Sequence, residues 1–448
     1  MRIPVIAVLP SQEPLKDSAA AGLRQSGPTG LSGVTTPKGL VLDPTVNAVA
    51  LGSATVESPS AATHSPDKSA TFAVSGFFEA DSPEAVPATA DGRPLYANPQ
   101  ISPFLTCGGT PPVGSHLDVA RKLDVAGLGG RGLDGSGVAI AIMDTGINLK
   151  YLNAKLGPGN QPLFDAGNSW TAPGSFIAPG AHPVDHGTMC AFDVLIAAPK
   201  ATLLDFPILS SSAPGGSRVG QTLSVALSGF AQLLNFWAVA FAAGGGPKYR
   251  AFVVSNSWGI FHPSWDFPVG HPGRFIDNPN HPFNVIVATL ARSGADIVFA
   301  AGNCGAQCAD GRCQGNTTQT IMGSSALPDV LTLAGCDTND DRVGYSSQGP
   351  SIAGMFPQKP DLTAYTHFSG SEAFGVGSAD TGTSAACPVA SGCVAALRTK
   401  LSPGAVPPAN LFASLRSSAR AVPGQVGWNG DYGFGIIDPL AVATAQGV

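Results

Sequence analysis

Segments dominated by consecutive apolar residues recur along the chain after about residue 117. They are GVAIAIMDTG (137–146), ATLLDFPIL (201–209), AFVVSNSWG (251–259) and ADIVFAAGN (295–303). Helical segments such as 282–293 lie between them. Strands buried on both faces give continuous apolar runs, and their alternation with helices is typical of a parallel sheet covered on both sides. We therefore predict a large α/β domain whose chemistry lies at the carboxyl ends of its strands.

The first 101 residues follow a different pattern. They predict three strands and a short helix capped by Ser82: PVIAVL (4–9), FAVSGFFEA (72–80), RPLYANPQI (93–101) and the helix SPEAVPATADG (82–92). A Ser/Thr/Pro-rich stretch at 52–70 predicts a loop. We expect a small α+β unit, a linker rich in proline and glycine, and the α/β domain, at 1–101, 102–116 and 117–448.

Composition narrows the class of protein. Charged residues make up only 12% of the 448 residues, and the formal net charge is −6 without a basic run, so nothing favours nucleic-acid binding. The apolar stretch after Met1 is short and ends at Pro10, which predicts no secretory signal and a cytoplasmic or non-classically exported protein. Residues 221–243 could be long enough to span a membrane. Gln221, Gln232 and Asn235 interrupt them, which favours a buried helix.

Eight cysteines are too few for a disulfide-rich scaffold. Cys304, Cys308 and Cys313 are spaced C-x3-C-x4-C, which matches no common zinc site. We expect a local disulfide or free thiols there rather than a metal.

The segment DTGTSAACPVASGCVAAL (380–397) places Ser384 among small residues at the predicted start of a helix, with Pro388 in the first turn. One interpretation is a serine that caps the helix. The other is a nucleophile at a point where small neighbours admit a substrate and backbone amides face an oxyanion.

Three other polar residues stand at strand ends or helix starts, and each has a structural alternative. Asp144 closes an apolar strand and needs a partner, either in a turn or as the carboxylate that orients an imidazole. His186 opens a predicted helix and is either structural or catalytic. Asn303 follows an apolar run and is either a turn residue or an oxyanion donor.

In combination these segments resemble the signatures of subtilisin-type serine proteases: DTGI (144–147), HGT (186–188), AAGN (300–303) and GTSAACP (382–388). The resemblance covers roughly 117–448. It implies an Asp144, His186 and Ser384 triad, with the Asn303 side chain and the Ser384 amide binding the oxyanion. It also implies that Ser257, Trp258 and Gly259 pair with an extended substrate and that Gly302 lines a pocket.

Some positions depart from the family pattern. The stretch after His186, MCAFDVLIAAPKA, is short and offers only one acidic residue, Asp193, so we expect no tight calcium site there and no cofactor. Ala385 and Val389 replace a common methionine and histidine, and TAYTHFSG follows KPDL. These changes leave the triad intact but leave substrate preference open.

We therefore expect a subtilisin-fold serine endopeptidase that acts on peptides or proteins through an acyl-enzyme. Residues 1–101 resemble the family's propeptide and are expected to inhibit the active site in the same chain, or to serve as a permanent accessory domain. Two alternatives remain: a maturation protease dedicated to one peptide substrate, and a catalytically silent relative that only binds.

Overall fold

A computed structural model of the chain describes residues 1–10, 36–43, 45–46, 48–51, 71–103, 110–171, 174–209, 222–242 and 248–448. The loop predicted at 52–70 lies outside these residues.

A seven-stranded sheet with every pairing parallel forms the centre of the larger domain, as predicted. In spatial order its strands are β15 (Leu362–Tyr365), β14 (Leu331–Cys336), β13 (Asp296–Ala300), β11 (Ala251–Asn256), β8 (Val138–Asp144), β10 (Thr202–Pro207) and β9 (Leu163–Phe164). β8, β10, β11 and β13 are the four predicted apolar runs. Each contributes side chains to both faces, which is why their sequences do not alternate.

The helices of the described residues cover both faces of this sheet. They are α1 (His116–Lys122), α2 (Val125–Gly130), α3 (Leu149–Leu156), α4 (His186–Ala197), α5 (Leu223–Ala242), α6 (Pro282–Arg292), α7 (Thr383–Arg398), α8 (Pro408–Ser417) and α9 (Pro439–Ala445). Ile140 and Ile142 of β8 pack with α4 and α7, and Ala139 and Ala141 pack with α5 and α6. In the described part of the chain, none of the helices is both long and apolar enough to cross a membrane.

The small residues of α7 have a packing cause. Every residue of α7 is buried, and the helix lies against α4. A Cβ atom on Gly392 would lie 2.3 Å from the carbonyl oxygen of Val194 in α4. Only glycine permits this approach of two backbones, so part of the small-residue pattern around Ser384 serves packing.

The N-terminal unit is a mainly antiparallel sheet, and its strands are β1 (Arg2–Pro10), β2 (Leu40–Leu42), β3 (Val49–Leu51), β4 (Thr71–Glu79), β5 (Thr89–Ala90) and β6 (Arg93–Ala97). The predicted helix is a single 3-10 turn, Pro83–Ala85, and Ser82 makes no side-chain cap. The prediction of capping was wrong at this residue because the hydroxyl of Ser82 bonds to the Glu84 carboxylate instead, which lowers the pKa of Glu84.

Cysteine pairing follows the prediction. Cys304 and Cys313 form a disulfide across nine residues, and Cys308 is also disulfide-bonded. Among the cysteines that the structure describes, Cys190, Cys336, Cys387 and Cys393 are free and buried.

Candidate active site

The carboxyl end of β8 brings Asp144 to the imidazole of His186. His186 Nδ1 lies 2.8 Å from Asp144 Oδ1 and 2.9 Å from Oδ2, and both side chains are 1% exposed. The amide of Thr145 donates to Oδ1 at 2.7 Å and holds the carboxylate in place. A buried carboxylate needs such donors, so the sequence-based expectation of a partner for Asp144 is met.

This contact fixes the tautomer of the imidazole. Because Nδ1 faces a carboxylate, it carries the proton, and Nε2 presents its lone pair. Nε2 is buried and has no hydrogen-bond partner among the residues that the structure describes. His186 therefore offers an unoccupied basic nitrogen on the side away from Asp144.

Ser384 is the second residue of α7 and is fully buried. Its hydroxyl donates to the carbonyl oxygen of Ser257 at 3.3 Å, and the hydroxyl of Ser257 donates to the carbonyl of Ser384 at 3.0 Å. Gly382, with φ of 81°, is the N-cap and makes no side-chain cap. Ser384 therefore does not occupy the N-cap position.

Cys190 shows how closely the three elements meet. Its sulfur lies 3.7 Å from Asp144 Oδ2, 3.8 Å from His186 Nδ1 and 3.6 Å from the carbonyl oxygen of Ser384. Burial, followed by the Asp144 charge, raises the pKa of this thiol well above its usual value, so it stays protonated. Sequence reasoning missed Cys190, although its position one turn after His186 was a usable signal.

Asp144, His186 and Cys190 are also a possible metal-ligand set. Among the described residues these three bring one ligand atom each to within 4.8 Å of one another. An ion there would have to compete for the Asp144 and His186 atoms that already contact each other. The arrangement fits a hydrogen-bonded pair with a thiol beside it better than a preformed metal centre.

Asn303 follows β13 and is joined to the residue before Ser384. Its Oδ1 accepts hydrogen bonds from the Thr383 amide at 2.9 Å and the Thr383 hydroxyl at 3.0 Å. The amide of Gly302 also donates to that hydroxyl, at 3.0 Å. These bonds fix the orientation of the Asn303 side chain, because the oxygen must face Thr383 and the NH2 group must face away from it.

The predicted substrate strand is an ordered edge, β12 (Trp258–Gly259), next to Ser257. β12 pairs antiparallel with a short strand of the N-terminal half, β7 (Ser102–Pro103). The side chain of Trp258 is 1% exposed and packs against Phe283 and Phe299 in the core. A role for Trp258 in the groove therefore concerns its main chain.

The residues just before β7 form hydrogen bonds with the start of α5 and the residue before it. Gln100 forms an antiparallel bridge with Thr222, and the amide of Leu223 donates to the carbonyl of Pro99 at 3.1 Å. Ile101 is fully buried in the same apolar cluster as Leu223 and Trp258. Residues 99–103 thus lie extended between two edges of the larger domain and end beside Ser257.

Comparison with known proteins gives consistent results. The sequence profile of the subtilase family (Peptidase_S8) matches residues 135–435. Subtilisin DY from Bacillus licheniformis is 25% identical over 339 residues, which cover 75% of this chain and 99% of that protein. Serine protease AprX from Bacillus subtilis (strain 168) is 26% identical over 291 residues, 61% of this chain and 54% of AprX, so the match spans about half of that relative.

Proposed function

Because the chain belongs to the subtilase family and is a serine endopeptidase, we propose that Ser384 is its nucleophile, His186 the general base and acid, and Asp144 the carboxylate that orients His186. The observation that carries this proposal is the buried contact of His186 Nδ1 with Asp144 at 2.8 Å. It leaves Nε2 as the basic atom of His186, and Cys190 contacts both this imidazole, at Nδ1, and the carbonyl oxygen of Ser384.

Each step uses one of these groups. Nε2 removes the hydroxyl proton of Ser384 while Oγ bonds to the substrate carbonyl carbon. The resulting imidazolium is stabilised by Asp144 and then protonates the leaving amine as the C–N bond breaks. A water molecule, deprotonated by Nε2 in turn, bonds to the acyl carbon. The bond from that carbon to Ser384 Oγ then breaks as the imidazolium returns its proton to Oγ, which releases the acid product. Before reaction, Ser384 must exchange its 3.3 Å bond to Ser257 for one to His186, a rearrangement that substrate-free enzymes commonly require.

The oxyanion formed on the carbonyl oxygen needs preorganised donors. We assign this role to the NH2 group of Asn303 and the backbone amide of Ser384. The two bonds from Thr383 to Asn303 Oδ1 support the assignment, because they tie this side chain to the nucleophile's own helix start. Such fixed donors need no reorganisation when charge develops, and this is the source of their large effect on rate.

We propose that substrates bind as an extended strand against Ser257, Trp258 and Gly259, near Gly302. The pairing of Ser102–Pro103 with β12 supports this proposal, because a segment of the chain already makes that interaction. Main-chain pairing of this kind accepts many sequences, and side-chain pockets add the preference.

The same pairing supports an inhibitory role for residues 1–101. In this position the end of the N-terminal unit pairs with β12, the edge strand that a substrate would use. We propose that the unit blocks the site until the chain is cut beyond it. A permanent accessory domain that recruits substrate is the alternative, and it requires that the intact chain be fully active.

Replacement of Ser384 by alanine tests the assignment, and the activity measured is hydrolysis of an unfolded protein substrate. The expected loss in kcat is on the order of 10⁶-fold, the size known for removal of a subtilisin nucleophile. Ser391→Ala is the matched control, since Ser391 lies in the same helix and its hydroxyl donates to the carbonyl oxygen of Cys387 at 2.9 Å. Most activity remaining in Ser384→Ala would refute the assignment, and inactive wild type would favour a silent binding relative. Cleavage of one peptide among many would favour a dedicated maturation protease.

A further inference from the structure

Asp193 is a buried carboxyl group that the proposed mechanism does not use. It is 0% exposed and lies on α4, seven residues after His186 and so on the same face of the helix. Its oxygens find no N–H or O–H donor in the described part of the chain. The group within hydrogen-bonding reach is a second carboxyl, that of Asp380.

Asp380 lies in β17 (Ala379–Asp380), four residues before Ser384. It is also 0% exposed. Its two oxygens accept hydrogen bonds from the amide and the hydroxyl of Ser371, both at 2.5 Å. Donors on both oxygens stabilise the ionised form of a carboxyl group, which favours Asp193 as the group that carries a proton between the two.

We propose that Asp193 is a positioning residue that remains protonated and donates a hydrogen bond to the Asp380 carboxylate, which ties the helix of His186 to the strand that leads into Ser384. This inference rests on the proposed function, because it concerns the distance between the proposed base and nucleophile. Two buried carboxyl groups in contact share a proton, since both cannot be ionised without strong repulsion.

The surrounding charges are consistent with this assignment. Lys155 of α3 is the cation that acts on Asp380, and it is itself paired with Glu372 at 2.5 Å. On the side of Asp193, the titratable neighbour is the thiol of Cys190 in the same helix. Burial and the nearby Asp380 raise the pKa of Asp193 well above its usual value, and burial raises that of Asp380 to about 6.

Substitution of each aspartate by asparagine tests which of the two carboxyl groups carries the proton. Asp193→Asn keeps a donor toward Asp380, whereas Asp380→Asn places an NH2 group where Ser371 supplies donors. We expect Asp193→Asn to retain kcat within about threefold. Asp380→Asn and Asp193→Ala should lose about 10- to 100-fold in kcat with little change in KM, because a displacement of about 1 Å between base and nucleophile costs that much.

The pH profile of kcat/KM for a peptide substrate provides the readout that packing alone would not change. The acid limb, which reports protonation of His186, should coincide in wild type and Asp193→Asn because neither carries a charge at position 193. Any alkaline fall in wild type that comes from ionisation of the pair should be absent in Asp193→Asn.

Three results would overturn the proposal. They are an Asp193→Asn variant as slow as Asp193→Ala, an Asp380→Asn variant faster than Asp193→Asn, or an acid limb that moves to lower pH in Asp193→Asn. The last would mean that residue 193 is ionised in wild type, with a cation between the carboxylates. Thermal unfolding of each variant in the Ser384→Ala background identifies failure to fold. If Asp193→Ala does not fold, the difference in kcat between Asp193→Asn and Asp380→Asn still tests the proposal. Activity that survives Ser384→Ala would instead reject the proposed function.

Discussion

At the scale of single residues, the site depends on groups that hold other groups. Thr383 fixes the amide of Asn303, and Asp144 fixes the tautomer of His186. Cys190 contacts Asp144, His186 and the carbonyl oxygen of Ser384. Each of these contacts is buried, so a substitution removes an interaction that water cannot replace.

For Asn303→Ala we expect a fall in kcat of roughly 10²- to 10³-fold with KM nearly unchanged, the effect known for loss of this kind of donor in subtilisin. The interaction forms only when charge develops on the oxygen, so it affects kcat and not binding. Steady-state kinetics with a peptide substrate measures both constants. An unchanged kcat would mean that another donor binds the oxyanion.

Arg398 and Asp296 form a fully buried, two-pronged ion pair between the end of α7 and the start of β13, with both N···O distances at 2.6 Å. Arg398→Met should lower the free energy of unfolding by about 3 to 5 kcal/mol, because it leaves a carboxylate buried without its partner. Urea unfolding in the Ser384→Ala background measures the loss without self-digestion. If the variant is as stable as its parent, Asp296 must take up a proton at little cost.

The sequence offers candidate residues for the site but does not show the contacts between them. Asp144, His186, Asn303 and Ser384 became candidates because each follows an apolar run or opens a helix beside small residues, and the resemblance to subtilisin-type proteases supplied the role of each. The proton shared by Asp193 and Asp380 could not be found this way, since the two residues are 187 positions apart in the sequence. Their relation depends on how α4 and β17 pack.

At the scale of elements, predictability followed length and local signal. α6 and the strands β8, β10, β11 and β13 were predicted from segments in which apolar residues predominate. β15 has four residues and β7 has two, too few to show a period. β7 exists because it pairs with β12, so its position depends on residues about 150 positions away.

The start of α6 leads to a prediction about pH. His281 Nδ1 accepts the amide of Phe283 at 3.2 Å, so Nε2 carries the proton and donates to Ala97 of β6 at 2.9 Å. Burial lowers the pKa of His281 to about 4 from 6.5. Since protonation would place a second N–H against the Phe283 amide, this contact contributes stability above pH 6.5 that is lost as the pH falls toward 4.

We therefore expect β6 to loosen from the larger domain on acidification. The equilibrium constant for its opening should rise by up to tenfold for each pH unit as the pH falls from 6.5 to 4. Amide hydrogen exchange of Arg93–Ala97 in full-length Ser384→Ala protein, corrected for the intrinsic rate at each pH, measures this change. His281→Gln keeps a donor and an acceptor without titrating and should flatten the dependence. Equal protection of β6 at pH 7 and pH 5 in the His281 protein would contradict the prediction.

At the scale of the whole molecule, the two units are connected through the proposed active site. The end of the N-terminal unit lies between Thr222 and β12, and Asn98 bonds Ser224 through both its amide nitrogen and oxygen. A parallel sheet with distant pairings folds slowly, so a docked unit that contacts several of its loops could assist its assembly as well as cover its groove.

We expect wild-type protein to be cut between about residue 100 and residue 117, while Ser384→Ala protein stays full length. Intact mass measurement over time follows the cut, and Ser391→Ala serves as the control that should be processed normally. Activity toward added substrate should rise as the cut proceeds. Wild type that stays intact and fully active for days would favour a permanent accessory domain.

The central claim is that Ser384 is a nucleophile activated by His186, and covalent labelling tests it most directly. A fluorophosphonate probe bonds only to an activated serine, and the labelled residue can be identified by peptide mass spectrometry. We predict one probe per wild-type chain on Ser384, no label in Ser384→Ala, and labelling at least about 10²-fold slower in His186→Ala because the base is missing. A probe on another serine, or an unlabelled wild type from which residues 1–101 have been cleaved, would contradict the claim.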